Sequence, residues 1–480
     1  MPTDPRRLRG HAPLLDAWLA FQEKPIRPFT IPGHKQRLDL VGDVVAGDVP
    51  LYAGLDSMKL TRGVLADAER RAAAAWGVDH ARFSVGGSTH GNQTVALAVA
   101  SPGDTVVVGR TAHRSMVLAL VLAGLKPRWV SPPVDSTTGL PLGIAVTDLD
   151  RACRQSPTPT AIFLTDPSYV GTLGEVEAWA GVAHAHGIPL VVDAAWAAHF
   201  GFHPDVPGHA LARGADAVVT SAHKLLPAYS QGAIVLARGE RVDLDRLDAA
   251  FEATHTTSPA GSILASIDAS RALLQRDGAE LLGATLDAVR SLRRRLQAVP
   301  GLVVLDGPAV DPLKVTLVLG GTGADGNAVE ADLMASGMPV ELADRDTLVA
   351  LVSLADTADT ADTAETLGAL GDSLIESIAR HRGPARLAVT AAAYAVTPEQ
   401  AVAPRDAFFA EREALPLGAT EGRVSAELVA PYPPGIPVLA PGERVTRSVL
   451  DALASARASG IRIAYAADPT LSTLLCLRDG

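Results

Sequence analysis

Residues 188–196 read Ile-Pro-Leu-Val-Val-Asp-Ala-Ala-Trp. An unbroken Ile/Leu/Val run without polar alternation is the pattern of a strand buried on both faces. The acid that closes it, Asp193, is costly to bury unless it meets a cation or a protonated ring nitrogen. Four more runs of the same kind, Thr105–Gly109, Ala161–Thr165, Asp216–Thr220 and Ala233–Ala237, are separated by Ala/Leu-rich helical stretches. Strands and helices alternating in this way predict an α/β domain with a mainly parallel sheet, open and doubly wound, flanked by helices. In such sheets the ligand crevice lies at the carboxyl ends of the strands, so the polar residues just after each run are the first candidates for a site.

Beyond the sheet, a helical stretch near Ser262–Val299 is closed by Pro300-Gly301 and followed by the runs Lys314–Leu319 and Thr347–Leu354. That succession predicts a smaller α+β unit. The acidic repeat Ala355–Glu365 reads as a solvated loop entering a helix. Residues 422–443 are dense in Pro and Gly, which marks an extended segment of fixed shape. The expected division is an N-terminal segment 1–60, a large domain 61–305, a small α+β domain 306–385 and a C-terminal domain 386–480.

The 480 residues are 48% hydrophobic and 20% charged, enough to bury a core and incompatible with a disordered chain. A net charge of −11 disfavours nucleic acid and anionic membranes as partners and leaves a small molecule. The two cysteines, Cys153 and Cys476, give neither a disulfide framework nor a zinc spacing. The N-terminal stretch lacks a long apolar region, and no run approaches the ~18 apolar residues of a membrane span. A cytoplasmic location is expected.

Four groups of polar residues follow the predicted strands. Lys224, in Thr220-Ser221-Ala222-His223-Lys224, is a lysine at the end of a buried strand, where desolvation favours the uncharged amine and Schiff-base chemistry; the plain alternative is a surface lysine opening a loop. Val85-Gly86-Gly87-Ser88-Thr89-His90-Gly91-Asn92 precedes a helical run, so its backbone N–H groups and hydroxyls form an anion cradle or simply cap the helix. Asp193 is the carboxylate that a pyridinium nitrogen requires, or else a cap for the next turn. His113 can lay a flat imidazole over a ring, or be a hydrogen-bonded neighbour. A zinc site through His199 and His203 is disfavoured because Pro204 follows at once and no H-E-x-x-H pattern exists. No metal is expected.

In chain order these groups resemble the pyridoxal-phosphate-dependent ornithine/lysine/arginine decarboxylases of the aspartate-aminotransferase fold (fold type I). The likeness runs from Pro28–Lys35 and Leu55-Asp56-Ser57 through GGSTHGN at 86–92, the HRS segment at His113 and Asp166–Gly171. It continues through Asp193-Ala-Ala-Trp196, SAHKLLPAYSQGA at 221–233 and Thr256-Thr-Ser-Pro259, to Gly422–Glu427 and Pro431–Pro437. The resemblance implies a seven-stranded-type sheet, a smaller α+β domain and a C-terminal extension. It makes Lys224 the cofactor lysine, Asp193 the partner of the ring nitrogen and His113 the stacking residue. Ser88, Thr89, Ser221 and Trp196 join the cofactor site, and His223 or Lys224 returns a proton to Cα. Ser258 reaches the phosphate of a neighbouring subunit, so a homodimer or larger homo-oligomer with shared sites is expected. The implied reaction is decarboxylation of arginine, lysine or ornithine, with an aminotransferase or aldolase of the same fold as the alternative; Arg380, Arg382 and Arg386 are the arginines that keep a transaminase open. Asp56, Glu341 and Glu427 are candidates for the distal cation of the substrate.

Overall fold

The computed structural model describes residues 4–23, 29, 31–35, 37–49, 63–356, 363–387, 394, 396–432, 435–458 and 462–478. Its centre is a sheet of seven strands: β1 (His80–Ser84), β2 (Thr105–Gly109), β3 (Lys126–Val130), β4 (Ile162–Thr165), β5 (Leu190–Asp193), β6 (Ala217–Ser221) and β7 (Ala233–Ala237). They lie in the order β1-β7-β6-β5-β4-β2-β3. Only β7 runs against its neighbours; every other pairing is parallel. The five apolar runs are β2 and β4 to β7, each within two residues of the sequence reading.

The two strands that the apolar pattern missed, β1 (His-Ala-Arg-Phe-Ser) and β3 (Lys-Pro-Arg-Trp-Val), are the edges. An edge strand has one free flank, which tolerates charge and, at Pro127, a missing N–H. Inside the sheet no such freedom exists, and Val106–Val108, Val191, Val192 and Ala233–Ala237 are fully enclosed.

Helices pack tightly on this sheet. At Gly91, in the helix Gly87–Val99, a Cβ would lie 2.4 Å from Val219 Cγ1 on β6, so the absence of a side chain there is what allows the approach. The 37-residue helix Gly261–Gln297, about 55 Å long at 1.5 Å per residue, joins the large sheet to a smaller one. The smaller sheet contains β8 (Val303–Val304), β9 (Lys314–Val318), β10 (Leu342–Ala343) and β11 (Thr347–Leu351) in the order β10-β11-β9-β8, antiparallel throughout. Leu292 and Leu296 of the long helix share one continuous core with Val192 of the large sheet and Val315 and Leu348 of the small one. The α+β character expected for this region is therefore present as an antiparallel sheet carrying the helices Gly326–Ala335 and Thr363–Arg380.

The C-terminal region has its own core around Val429, Val438, Val449 and Leu453. It is built from β12 (Arg412–Pro416) paired with β15 (Thr473–Leu477), β13 (Ala430–Tyr432) paired with β14 (Arg462–Ala464), and the helix Arg447–Ala458. It meets the large domain through an apolar cluster of Val117, Leu428, Ala430 and Ala440, and through a buried ion pair. Arg110, the residue after β2, pairs with Glu443 through both guanidinium arms, one at 2.9 Å, and donates to Val438 O at 3.0 Å. Both side chains are buried, and Trp129 closes over the guanidinium at 4.9 Å. Part of the acidic repeat lies outside the described residues, and the helix Thr363–Arg380 begins within it. Leu55-Asp56-Ser57 and part of Pro28–Lys35 also lie outside them. Among the described residues no helix is long and apolar enough to cross a membrane.

Removing one partner from a buried ion pair strands the other charge, a cost of about 3–5 kcal/mol. Glu443→Gln is therefore expected to lower the denaturant midpoint markedly, measured by fluorescence, whereas Arg444→Gln, at an exposed pair, should change the stability by less than about 0.5 kcal/mol.

Candidate active site

A cavity of about 460 Å³ opens at the carboxyl edge of the large sheet. Of the nine residues that the resemblance assigns to the cofactor and to proton transfer, eight line it: Ser88, Thr89, His113, Asp193, Trp196, Ser221, His223 and Lys224. The register explains the convergence. Thr165, at the end of β4, pairs with Asp193, and Ser221, at the end of β6, pairs with Ala233 at the start of the antiparallel β7, so the ends of β4, β5 and β6 meet the returning chain at one edge.

The cradle forms where β1 turns into the helix Gly87–Val99. Gly87 has φ +68°, a left-handed conformation open to glycine at little cost, and its N–H donates to Gln231 O at 2.8 Å. By helix geometry the N–H groups of Ser88 and Thr89 have no intrahelical acceptor. Ser88 Oγ lies 2.6 Å from Ser221 Oγ, which joins this helix start to the end of β6. Hydroxyls, free N–H groups and a helix N-terminus focused on one point make an anion site.

Asp193 is buried and holds its neighbours in a fixed order. Asn92 Nδ2 donates to Asp193 Oδ2 at 2.8 Å and to Ser115 Oγ at 2.9 Å, and Ser115 Oγ lies 2.9 Å from His113 Nδ1. The Ser115 N–H also donates to His113 Nδ1, at 3.2 Å. Because an amide N–H can only donate, Nδ1 of His113 is an acceptor and the proton of the neutral ring sits on Nε2. Burial lowers the His113 pKa, with Asp193 opposing and Lys224 adding to the effect. The Ala195 N–H donates to Asp193 Oδ1 at 3.2 Å, so the turn after β5 also braces the carboxylate.

Lys224 sits in the single helical turn Ala222–Leu225 that follows β6. Its Nζ faces the Trp196 indole, 3.8 Å from the ring centroid. Burial lowers its pKa against the pull of Asp193 and Glu341. His223 donates from Nδ1 to Gly232 O at 2.8 Å, which leaves Nε2 for exchange, and burial lowers its pKa too.

Several residues weighed in the sequence do not line the cavity of their own chain. Ser258 is exposed, takes a bond from its own N–H to Thr256 Oγ1 at 3.1 Å, and does not line the cavity of its own chain. Glu427 is buried as an acceptor for Ala467 N at 2.5 Å and Leu475 N at 2.6 Å, so it braces the C-terminal fold and does not face the cavity. Arg386 is bound to Asp346 and three backbone carbonyls, Arg382 to Pro300 O, and Arg380 to Asp332 and Glu376, all away from the cavity. His199 faces Asp311 at 3.6 Å while His203 accepts from Asp205 N, so the two do not share a ligand position.

Sequence reasoning gave no role to Asn92, Ser115 or Tyr169. Asn92 stands four residues after Ser88, one helical turn on the same face, which is the signal that would have found it. Tyr169 donates to Glu341 at 2.8 Å, and both line the cavity. Of the acids considered for a distal cation, Glu341 lines the cavity and Glu427 does not, while Asp56 lies outside the described residues.

Comparison with known proteins agrees with this geometry. A family described as Orn/Lys/Arg decarboxylase, major domain, matches residues 12–307, and its C-terminal domain matches residues 387–462. The chain is 30% identical over 484 residues to an arginine decarboxylase of Bacillus anthracis, covering 97% of each. The structure of the Francisella novicida lysine decarboxylase LdcF superposes with a TM-score of 0.81 at 21% identity, over 97% of this chain and 80% of that one. A structure of SPT with PLP shares the fold over 72% of this chain and 83% of that one, with a TM-score of 0.55 and 18% identity.

If the cradle binds an anion as described, replacing Ser88 and Thr89 together with Ala should raise the dissociation constant of a phosphate monoester by roughly 10- to 100-fold, about 1.4–2.8 kcal/mol. Calorimetric titration reads this, and the melting temperature should change little.

Proposed function

The chain belongs to the Orn/Lys/Arg decarboxylase family, and from that premise we propose that it is a pyridoxal-phosphate-dependent enzyme releasing carbon dioxide from a basic L-amino acid. The observation that carries the reading is the hydrogen-bonded order Asp193–Asn92–Ser115–His113 beside Lys224 and an anion cradle, every member except the enclosed Asn92 lining one cavity. These residues fit the cofactor group by group. The cradle of Ser88, Thr89 and Ser221 suits a phosphate, the buried Asp193 a protonated ring nitrogen, the imidazole of His113 a ring face, and the amine of Lys224 an aldehyde.

Pyridoxal phosphate, when bound, supplies an electron sink for the pair left on Cα as carbon dioxide departs. The chain supplies the rest. Asp193 keeps a proton at the ring nitrogen, and Asn92 and the Ala195 N–H stop the carboxylate from rotating away. His113 enters neutral, because its Nδ1 accepts from the Ser115 N–H and burial opposes a second proton. Trp196 walls the cavity beside Lys224 and limits water. The amine of Lys224 would hold the cofactor through its aldehyde. Either Lys224 or Nε2 of His223 then returns a proton to Cα, both groups giving up a proton more readily than in water.

Glu341, oriented by the Tyr169 hydroxyl, is the carboxylate that meets the distal ammonium or guanidinium of the substrate. The net charge of −11 favours approach of a cationic amino acid at low salt. The products are the corresponding amine, a diamine or polyamine precursor, and carbon dioxide. Ser258, exposed in one chain, is assigned to the phosphate of a neighbouring subunit in a homodimer or higher homo-oligomer, and a cytoplasmic setting suits two buried cysteines, Cys153 and Cys476, held as thiols.

The test supplies the pyridoxal-phosphate-loaded protein with L-arginine, L-lysine and L-ornithine and measures carbon dioxide, amine and keto acid. Carbon dioxide and amine in equal amounts from at least one substrate are expected; keto acid without carbon dioxide, or no turnover of any of the three, contradicts the reading. With the preferred substrate, Glu341→Gln should raise KM by roughly 10- to 100-fold and leave kcat within a few-fold.

A further inference from the structure

Lys314 opens β9 of the small sheet and is fully buried, yet its amine ends beside the cavity. Nζ donates to Ser168 O at 3.0 Å and Tyr169 O at 2.9 Å, the carbonyls of the turn after β4, and stands 4.2 Å from the centroid of the Trp196 ring. Lys224 faces the same indole at 3.8 Å. Two amines therefore share one aromatic ring, one belonging to the cavity and the other sealed behind it. Bridging two carbonyls needs N–H donors but no charge, so an uncharged amide would serve a purely structural role without the desolvation cost.

We propose that Lys314 is a positioning residue for Lys224, an enclosed amine that shares the Trp196 ring with it, so that a proton on Lys314 makes Lys224 easier to deprotonate. The proposal deepens the reading given above and rests on Lys224 being the residue that attaches the cofactor. Two ammonium groups near one ring repel, so a charge on either makes the other give up its proton more easily. Burial pushes the Lys314 amine down to about 7, with Asp311 and Glu341 pulling it up and Lys224 pushing it further down. The other groups around the pair are accounted for. Asp193 and Glu341 favour the charged form of Lys224, while His113 and His223 are held toward neutrality by burial. On the far side of Lys314, Asp311 faces His199, and Arg293 donates to the carbonyl of Lys314 itself at 2.7 Å. Lys314 does not line the cavity and touches no reacting atom, so its action is through Lys224.

The test titrates the visible absorbance of pyridoxal phosphate held on Lys224 against pH in the wild type, Lys314→Met and Lys314→Arg proteins. Removing the cation should raise the midpoint by roughly one pH unit, and arginine, which keeps the charge, should leave it near the wild-type value. A folded Lys314→Met protein with an unmoved midpoint overturns the proposal. If that variant does not fold, the wild-type curve decides: coupled amines give a curve in two steps or broader than one proton requires, and a simple one-proton curve overturns the proposal. Absence of the band from the wild-type protein would instead refute the reading of Lys224, a failure distinct from an unmoved midpoint.

Discussion

A carboxylate closing a strand that is buried on both faces has to find its partners within the fold, and at Asp193 this requirement organises the cavity. Its Oδ2 takes one hydrogen from the Asn92 amide, whose second hydrogen goes to Ser115, and Ser115 in turn holds His113. The four residues come from three parts of the chain: the helix after β1, the start of the helix after β2, and the end of β5. The bonds are made only if the strands are ordered as they are, with β4 between β2 and β5. The electrostatic need of one buried acid and the topology of the sheet are thus the same constraint seen at two scales.

A second constraint acts from outside the large sheet. Lys314 and Glu341 belong to the small-sheet region, and they meet the cavity through Trp196 and Tyr169. Ile436, from the Pro/Gly-dense C-terminal stretch, also lines the cavity, and the buried pair of Arg110 and Glu443 pins that stretch to the end of β2. The three parts of the chain are coupled where the substrate's distal end would lie. This accounts for a family likeness that covers nearly the whole chain and extends beyond the cofactor-binding sheet.

Much of this was legible in the residues alone. The interior strands announced themselves because a strand covered on both faces must be apolar along its whole length, whereas β1 and β3 did not, since an edge relaxes that demand. Lys224, Asp193 and His113 were found because each stands at or soon after the end of an apolar run, and the Gly86–Asn92 cradle because glycines and hydroxyls open a helical run. Asn92 and Ser115 were passed over because a neutral amide and a hydroxyl carry no charge signal; only their spacing along a helix betrays them. Lys314 escaped for the opposite reason, since a lysine heading a strand reads as a surface residue until the fold encloses it. Glu427 and the arginines at 380, 382 and 386 misled because residue type says nothing of which partner will claim a charge. Backbone amides claimed the first, and carboxylates and carbonyls the others.

The central claim is that this cavity holds pyridoxal phosphate on the amine of Lys224. Borohydride reduction of the cofactor-loaded protein, followed by proteolysis and mass mapping, tests it directly. The account predicts a phosphopyridoxyl adduct on the peptide that contains Lys224, lost in Lys224→Ala; an adduct confined to other lysines, or no adduct at all, would contradict it.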